Sequence, residues 1–404
     1  MSQAPPLSLV DAAKALAPQI RQFAEEIEQT RRLPMPLVDS MAQAGLFRLW
    51  IPRSLGGEEA DPITFTRIVE EVSRLDGAVG WCLALAGEYG IFGGYLEPEA
   101  AHEIFGSDPH VRTAGAFRPS GNARVVTGGY QVTGRWKLGS GCQHSTWIVG
   151  GCQILDGTEP RLRADGTPVT RLLFFPATDC EIIDTWHSIG LRGTGSHDYA
   201  VADVFVPARR SLSLREPPVE PGPLYAMPAI ALFTTGLAAV SLGIARHAID
   251  ILLELAQART TVRSQGGGLR EDATVQASVG QAEALVGSGR AFLYETLKEA
   301  WQVAGRGQAV SVPQRAKLWL ASTQAASASK QAAELIFSAG SSASPYVASG
   351  IERCMRDILA AAQHLAVIPA NYQMAGQALL GLDMSRSILT VLDDRGTHPS
   401  AAMA

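Results

Sequence analysis

The chain has 404 residues, of which 46% are hydrophobic and 18% are charged, and its net charge at pH 7 is −5. This length predicts two or three domains or one large compound fold, and the composition is typical of a globular protein in water. The acidic balance argues against a nucleic-acid partner, which needs a basic face. We expect no membrane span and no signal peptide. The five cysteines are scattered and odd in number, which predicts buried, reduced thiols in a cytoplasmic protein.

The first 110 residues are predicted to form a helical domain. Apolar residues recur at helical spacing from Leu9 to about Thr30, and Pro34 ends this segment. Asp61 is predicted to cap a helix that has Pro62 at its first position. The next helix, predicted from Asp76 to Tyr95, is rich in Gly and Ala, which favours close packing against a neighbour.

Residues 111–214 change in character, because short apolar runs alternate with Gly, Pro and Asp turns. This pattern predicts an antiparallel β-domain. Two stretches stand out within it, Gly128–Trp147 and Trp186–Asp198, since each combines a tryptophan with a glycine-rich turn. Small residues let the backbone approach something flat or bulky, so we predict a cofactor site on these turns.

Residues 224–395 are predicted to form a helical bundle. Four long Ala-rich segments cover about 228–261, 274–304, 313–338 and 351–378, and short loops connect them. Such lengths and connections are typical of an antiparallel four-helix bundle.

This order resembles the α+β fold of the acyl-CoA dehydrogenase superfamily: an N-terminal helical domain, a central antiparallel β-domain and a C-terminal four-helix bundle. Several motifs carry the resemblance, and they are most similar to those of its two-component (group D) flavin-dependent monooxygenases. They are Ile51-Pro52 with Gly56-Gly57, Gly134-Arg135-Trp136, Ser140-Gly141 followed by His144 and Trp147, Gly190 to Asp198, Arg353 to Asp357 followed by Gln363-His364, and Gly381-Leu382-Asp383.

The resemblance implies a homotetramer that takes reduced FAD or FMN from a separate NAD(P)H:flavin reductase. With O₂ the flavin would form a C4a-hydroperoxide that hydroxylates a small organic substrate, aromatic or amine-bearing. His364 and Ser140 would be catalytic. The residues implied to bind the flavin are Trp136, Ser140, Gly141, Thr194, Gly195, Ser196 and Arg263, and those implied to line the substrate pocket are Trp81, Glu88, Tyr89 and His144.

Three of these residues have ordinary alternatives. His364 is predicted to share a helix face with Arg356, eight residues earlier, among apolar neighbours where an imidazole would work as a base; a core histidine bonded to backbone is the other interpretation. Glu88 would suit an amine or hydroxyl group of the substrate if it faces the pocket, and otherwise lies at a solvent or subunit surface. Trp136 fits either the flavin site or the core of the β-domain.

Other kinds of site fit the motifs poorly. Ser196-His197-Asp198 cannot form a catalytic triad, since consecutive side chains on an extended segment point to opposite faces. Ser140 lacks the strand-to-helix elbow of a hydrolase, and Gly193-Thr194-Gly195 lacks the third glycine of a dinucleotide-binding turn. Cys142 and His144 have no second ligand pair at zinc spacing, so we expect no metal.

The alternative within the same fold is an FAD-dependent acyl-CoA dehydrogenase or oxidase. Such an enzyme needs a carboxylate base, but the position after the Arg-Asp motif holds His364-Leu365-Ala366. Asp250 and Glu254 on the first bundle helix are the remaining candidates, and both fit a solvent face equally well. A third possibility is a flavin-free scaffold that kept the fold and lost the chemistry.

Overall fold

The computed structural model describes residues 8–258, 268–385 and 387–391. Helices form both ends of this chain and a sheet forms its middle, as the sequence predicts. The N-terminal region contains six α-helices: α1 (Leu9–Ala15), α2 (Ala17–Thr30), α3 (Met35–Gln43), α4 (Pro62–Ser73), α5 (Gly77–Tyr89) and α6 (Pro98–Ala101).

The helix boundaries follow from capping and backbone geometry. The Asp61 side chain accepts hydrogen bonds from the backbone N–H groups of Ile63 and Thr64 at 3.0 Å, which confirms the predicted cap of α4. Helix α2 ends where Arg31 takes a left-handed conformation, with φ of 56°. Helix α5 ends at Tyr89 and continues as a 3₁₀ segment to Gly94, so the predicted helix to Tyr95 changes type on the way.

The middle of the chain forms one eight-stranded sheet with strand order β6-β7-β2-β1-β3-β5-β8, and β4 pairs with β3. The strands are β1 (Thr113–Val126), β2 (Gly129–Gly139), β3 (Trp147–Asp156), β4 (Glu159–Pro160), β5 (Thr170–Pro176), β6 (Glu181–Ile183), β7 (His197–Pro207) and β8 (Ser211–Leu212).

The prediction of a wholly antiparallel sheet is wrong at one pairing, since β1 and β3 run parallel. Strand β2 returns antiparallel to β1 after a tight turn. Residues 140–146 then carry the chain across the end of β1 to its other side, so β3 must run in the same direction as β1. Both strands therefore begin beside this crossing segment, which holds Ser140 and Gly141.

The two faces of the sheet pack into two different cores. Along β5, Leu172 and Phe174 join the large core that the helices share, whereas Leu173 and Phe175 join a smaller core inside the β-domain. This alternation is the period of an extended strand. The sheet thus lies on the helical body, and the loops at its edge reach the helices.

The C-terminal region contains α7 (Pro223–Ala226), α8 (Ala229–Ala258), α9 (Ala273–Gly305), α10 (Val312–Ala339), α11 (Ile351–Ala361), α12 (Ala370–Leu379) and α13 (Ile388–Val391). Among the described residues, α8 is long and apolar enough to cross a membrane by length and composition alone. However, 94% of its apolar window is buried inside the protein. It is the central helix of the core, in contact with α4, α5, α10 and α11.

The fourth predicted bundle helix, 351–378, is wrong as a single helix. Helix α11 ends at Ala361 and α12 begins only at Ala370. Pro369 lies at this break, and proline in a helix interior removes one backbone hydrogen bond and clashes with the preceding turn. His364 therefore lies in the turn between two helices and not on the helix face of Arg356.

Candidate active site

The site is built where α5 meets two loops of the β-domain. Asp76 caps α5 by accepting hydrogen bonds from the N–H groups of Ala78 and Val79 at 2.9 and 3.0 Å. The Gly-rich sequence brings α5 very close to α4, since a Cβ on Gly80 would lie 1.9 Å from Ser73 Oγ. The next residue, Trp81, faces the β-domain, where its indole N–H donates to Ser140 Oγ at 3.1 Å.

Three buried hydroxyl groups continue from this indole as one chain of hydrogen bonds. Ser140 Oγ lies 2.6 Å from Ser196 Oγ, which lies 2.6 Å from Thr194 Oγ1. Thr194 donates its proton to the carbonyl oxygen of Leu191 at 2.8 Å. Because each hydroxyl has one proton, Ser196 must donate to Thr194 and Ser140 to Ser196. All the protons point along the chain, so the oxygen atoms have only lone pairs left for a further partner.

Left-handed backbone at the ends of the loops brings these hydroxyls together. Gly141 has φ of 77° and Gly195 has φ of 50°, a region that glycine adopts without steric cost. The backbone N–H of Gly141 donates to the carbonyl of Thr194 at 2.8 Å and joins the two loops. The small residues predicted to mark a cofactor site therefore form one joint surface.

His364 lies beside Trp81, with ring centroids 5.6 Å apart in an edge-to-face arrangement. Its Nδ1 accepts a hydrogen bond from the backbone N–H of Ala366 at 3.2 Å, so the neutral ring carries its proton on Nε2. Burial lowers the pKa of His364 to about 4. At neutral pH the ring is uncharged and presents an N–H donor on the side away from Ala366.

The second loop is held in place by the Arg-Asp motif of α11, for which the sequence suggested no role. Asp357 accepts a hydrogen bond from the backbone N–H of Leu191 at 2.6 Å, and Leu191 is left-handed with φ of 50°. Arg353 donates to Asp76 at 2.6 Å. Burial raises the pKa of Asp357 to about 7, which the nearby Arg353 partly offsets. Helix α11 thereby ties the cap of α5 to the loop that carries Thr194 and Ser196.

Glu88 is fully buried, with 1% of its surface exposed, so the alternative of a solvent-facing residue is wrong. Among the described residues its Oε1 has no hydrogen-bond partner. Burial raises the pKa of this carboxyl well above its usual value. The next residue differs, because the Tyr89 hydroxyl donates to the carbonyl of Gly115 at 3.0 Å.

Comparison with known proteins agrees with this arrangement. Residues 9–95 match the N-terminal domain of acyl-CoA dehydrogenases and residues 235–369 match their C-terminal domain. The chain is 32% identical over 372 residues to indole-3-acetate monooxygenase from Pseudomonas putida, covering 92% of this chain and 93% of that protein. It belongs to the flavin-dependent monooxygenases of the acyl-CoA dehydrogenase superfamily.

Two further relatives share almost the whole length of this monooxygenase. The oxygenase subunit HsaA of a flavin-dependent monooxygenase from Rhodococcus jostii is 29% identical, with 93% of this chain and 99% of that protein covered. The structure of XiaF from Streptomyces, in complex with FADH2 and glycerol, matches with a TM-score of 0.85 and 26% identity over 93% of this chain and 95% of that one.

The residues of this monooxygenase fit a reduced flavin at the joint surface. The lone pairs of Ser140, Ser196 and Thr194 suit the N–H groups that a reduced isoalloxazine carries, and the adjacent glycines leave the backbone accessible. Of the predicted flavin-binding residues, the structure brings together Ser140, Gly141, Thr194, Gly195 and Ser196. Arg263 lies outside the described residues.

Two predicted site residues lie elsewhere. Trp136 has no exposed surface, donates its indole N–H to Gly151 at 2.7 Å and stacks on Tyr199 inside the β-domain. Its position is that of a core residue, the second of the two interpretations, and we leave it out of the flavin site. His144 is buried beneath the Gly141 turn, 6.4 Å from the Phe47 ring, and burial lowers its pKa to about 4. Its ring packs against the backbone of the Gly141 turn, since a Cβ on Gly141 would lie 3.1 Å from His144 Nε2.

The residues that sequence reasoning missed, Asp76, Arg353 and Asp357, act through backbone and charge contacts. A signal for them existed, because Arg353 and Asp357 belong to one of the motifs that carry the family resemblance. What the motif does not encode is its partner, which is the left-handed Leu191 some 166 residues away in the chain.

Proposed function

We infer that this protein is the oxygenase component of a two-component system that hydroxylates a small aromatic substrate with reduced FAD or FMN and O₂. The observation that carries this inference is the hydrogen-bond chain from Trp81 through Ser140 and Ser196 to Thr194, with neutral His364 beside its first member. The relatives' names, indole-3-acetate monooxygenase and oxygenase subunit HsaA, support the same class of reaction.

The protein's own groups divide the work between them. When bound, reduced flavin supplies the electrons that activate O₂. Ser140, Ser196 and Thr194 orient the flavin through their lone pairs. His364 presents an Nε2–H donor at neutral pH, which holds a substrate or oxygen atom by a hydrogen bond and accepts a proton only after giving this one up. The burial of Trp81, Ser140, Ser196 and Thr194 limits the access of water to this end of the site.

The rival activity, acyl-CoA dehydrogenation, lacks its base. Asp250 is engaged by Arg74 at 2.6 Å and by Arg246 at 2.9 Å, and Glu254 is exposed. Asp250 is therefore held by two arginines, and Glu254 faces solvent. Glu88 is buried but has no cation or hydrogen-bond donor to stabilise a carboxylate, among the residues that the structure describes, so it does not supply the ionised base that dehydrogenation needs.

The assembly and the partner follow from the same proposal. A separate NAD(P)H:flavin reductase delivers the reduced flavin, the chain assembles as a homotetramer, and the enzyme works in the cytoplasm. Buried, unpaired cysteines support this location. Exposed large apolar side chains near the C-terminus support the assembly; they are Tyr346, Val347, Leu365, Leu379, Leu380, Leu382 and Ile388.

The test is rapid mixing of the protein and anaerobically reduced FAD or FMN with oxygenated buffer while flavin absorbance is followed. We expect a transient absorbance distinct from both reduced and oxidised flavin, which decays faster in the variant His364→Ala. Tyr294→Phe, which removes a hydroxyl that donates to Glu70 between α9 and α4, is the control and should resemble the wild type. Reoxidation at the rate of free flavin in solution would contradict the proposal.

A further inference from the structure

The Glu88 carboxyl is a buried polar group for which the fold supplies no partner. It is 1% exposed, its Oε1 lacks a hydrogen bond, and no ion pair to it occurs among the described residues. Leaving such a group unpaired destabilises a protein, so a buried carboxyl without a partner needs an explanation other than stability.

The face of α5 that carries Glu88 also carries the one residue of this helix that is not fully buried. Of the thirteen residues of α5, all are buried except Leu85, which is half-buried. Leu85 lies one turn after Trp81 and one turn before Glu88, so the three share one face of the helix. The rise of an α-helix places Glu88 about 10 Å along the axis from Trp81, which contacts Ser140 and His364.

Aromatic rings and a glycine surround the carboxyl. A Cβ on Gly236 of α8 would lie 2.1 Å from Glu88 Oε1 and 3.3 Å from the Phe65 ring, so only glycine leaves room for the carboxyl there. Phe65 stacks on Trp50 at 4.1 Å, and Phe233 lies 6.4 Å from Trp50. Among the described residues, the indole N–H of Trp50 is also buried without a partner. The aromatic surface of Phe65 and Trp50 suits a flat apolar ring.

Among the described residues no cation lies beside Glu88, and this determines whether a charged or a neutral group of a ligand fits there. Burial raises the pKa of Glu88 well above its usual value, so the group is a neutral acid that offers a carbonyl oxygen to a donor. A cationic ligand would have to ionise this acid in an apolar surrounding, whereas a neutral N–H or O–H donor needs no charge.

We propose that Glu88 selects the substrate: the enzyme takes a neutral aromatic molecule whose N–H or O–H group donates to the Glu88 carboxyl, while the ring carbon to be hydroxylated lies at the Trp81 and His364 end. This proposal rests on the proposed function for the identity of the reacting end. It adds the chemical class of the substrate and the residue that recognises it.

The experiment measures binding without flavin or O₂, by isothermal titration calorimetry. The probes are two matched pairs, indole with 1-benzofuran and phenol with anisole, in which the second member lacks the donor. The proteins are the wild type, Glu88→Gln, Glu88→Leu and, as control, Tyr294→Phe, which removes a hydroxyl that donates to Glu70. A site built to bind an N–H or O–H group rejects an analogue without it, so we expect the donor to bind at least about tenfold tighter in one pair.

We expect this preference to persist in Glu88→Gln, whose amide oxygen still accepts, and in Tyr294→Phe, and to disappear in Glu88→Leu. We also expect a higher melting temperature for Glu88→Leu, since the substitution removes an unpaired polar group from the interior. That second readout separates a binding role from a structural one.

Three results would overturn the proposal: no preference for a donor in the wild type, a preference that survives in Glu88→Leu, or loss of the preference in Glu88→Gln, which would indicate an ionised carboxylate. A large fall in the melting temperature of Glu88→Leu would also overturn it. Because flavin is absent from the calorimeter, failure here and failure of the rapid-mixing test are distinguishable.

Discussion

Ser140 accepts a hydrogen bond from the indole N–H of Trp81 and donates one to Ser196. It therefore joins a helix of the N-terminal region to the second loop of the β-domain. Proximity of Ser140, Thr194 and Ser196 could be predicted, because both loops carry small residues and glycines in the order that the family uses. The direction of their protons could not, since it depends on Thr194 finding the carbonyl of Leu191. The hydrogen bond from Trp81 to Ser140 could not be predicted either. Helical spacing shows which residues share a face of the helix, but it does not show which other segment packs on that face.

Replacing Ser140 with Ala should weaken the binding of reduced flavin about tenfold, which corresponds to about 1.4 kcal/mol, the upper part of the range for one neutral hydrogen bond. Anaerobic titration of the protein with reduced FAD or FMN measures this affinity. Ser145→Ala is the matched control, since the Ser145 hydroxyl donates to Gly141 in the same loop but outside the chain of hydroxyls. Equal affinities of Ser140→Ala and wild type would argue that the flavin lies elsewhere.

The lowered pKa of His364 makes a prediction about acid stability. Its folded pKa of about 4 is below the ordinary value of 6.5, so the unfolded chain binds the proton more readily. The stabilising contribution is complete above pH 6.5 and is lost as the pH falls towards 4. Between pH 7 and pH 5 the wild type should lose about 2 kcal/mol more unfolding free energy than His364→Gln, as measured by urea denaturation at both pH values.

A histidine with an exposed side chain provides the control for this comparison. The His187 side chain is 68% exposed, so His187→Gln should follow the wild type at both pH values. If His364→Gln is as sensitive to acid as the wild type, the ring titrates normally and does not stay neutral in the site.

At the scale of single elements, α11 shows what sequence patterns convey and what they omit. Its Arg-Asp motif was visible, but the predicted helix ran too far, because an Ala-rich segment continues the helical pattern up to Pro369 while the chain turns after Ala361. That turn carries His364. The parallel pairing of β1 and β3 was missed for a related reason, since strand direction depends on the path of residues 140–146 and not on the strands themselves.

Replacing Arg353 with Met should remove the ionic contacts between α11 and the cap of α5 and destabilise the protein. Arg353 pairs with Asp76 at 2.6 Å and lies 3.9 Å from Asp357, and both carboxyls are buried. Removing one member of a buried ionic group leaves uncompensated charge and costs about 3–5 kcal/mol. Chemical denaturation should show this loss of stability.

The surface ion pair of Lys317 and Glu299 is the control for Arg353→Met. These two side chains are 40% and 48% exposed, so Glu299→Gln should cost less than about 1 kcal/mol. Similar losses in the two variants would show that Arg353 does not act as a buried cation between α5 and α11.

The whole molecule leaves large apolar side chains exposed close to its C-terminal end, which supports the proposed assembly. Leu380 is 80% exposed in the single chain. If it lies in a subunit interface, Leu380→Glu should produce smaller particles in size-exclusion chromatography with light scattering, because a buried unpaired carboxylate opposes association. Leu162→Glu, at a 57% exposed position of the β-domain, should leave the mass unchanged. An unchanged mass for Leu380→Glu would remove Leu380 from the interface.

The packing of α5 against α8 has a consequence for the folding of the chain during its synthesis. Helix α8 begins 140 residues after Tyr89, and the whole β-domain is translated between them. At about 5–20 residues per second the ribosome takes roughly 10 to 30 s to supply the helix that covers α5. During that interval the face of α5 that packs against α8 in the folded protein is exposed in the nascent chain. Since a charged group among apolar residues opposes aggregation, we expect the Glu88 carboxyl, which is solvated and ionised until α8 covers it, to disfavour association of nascent chains.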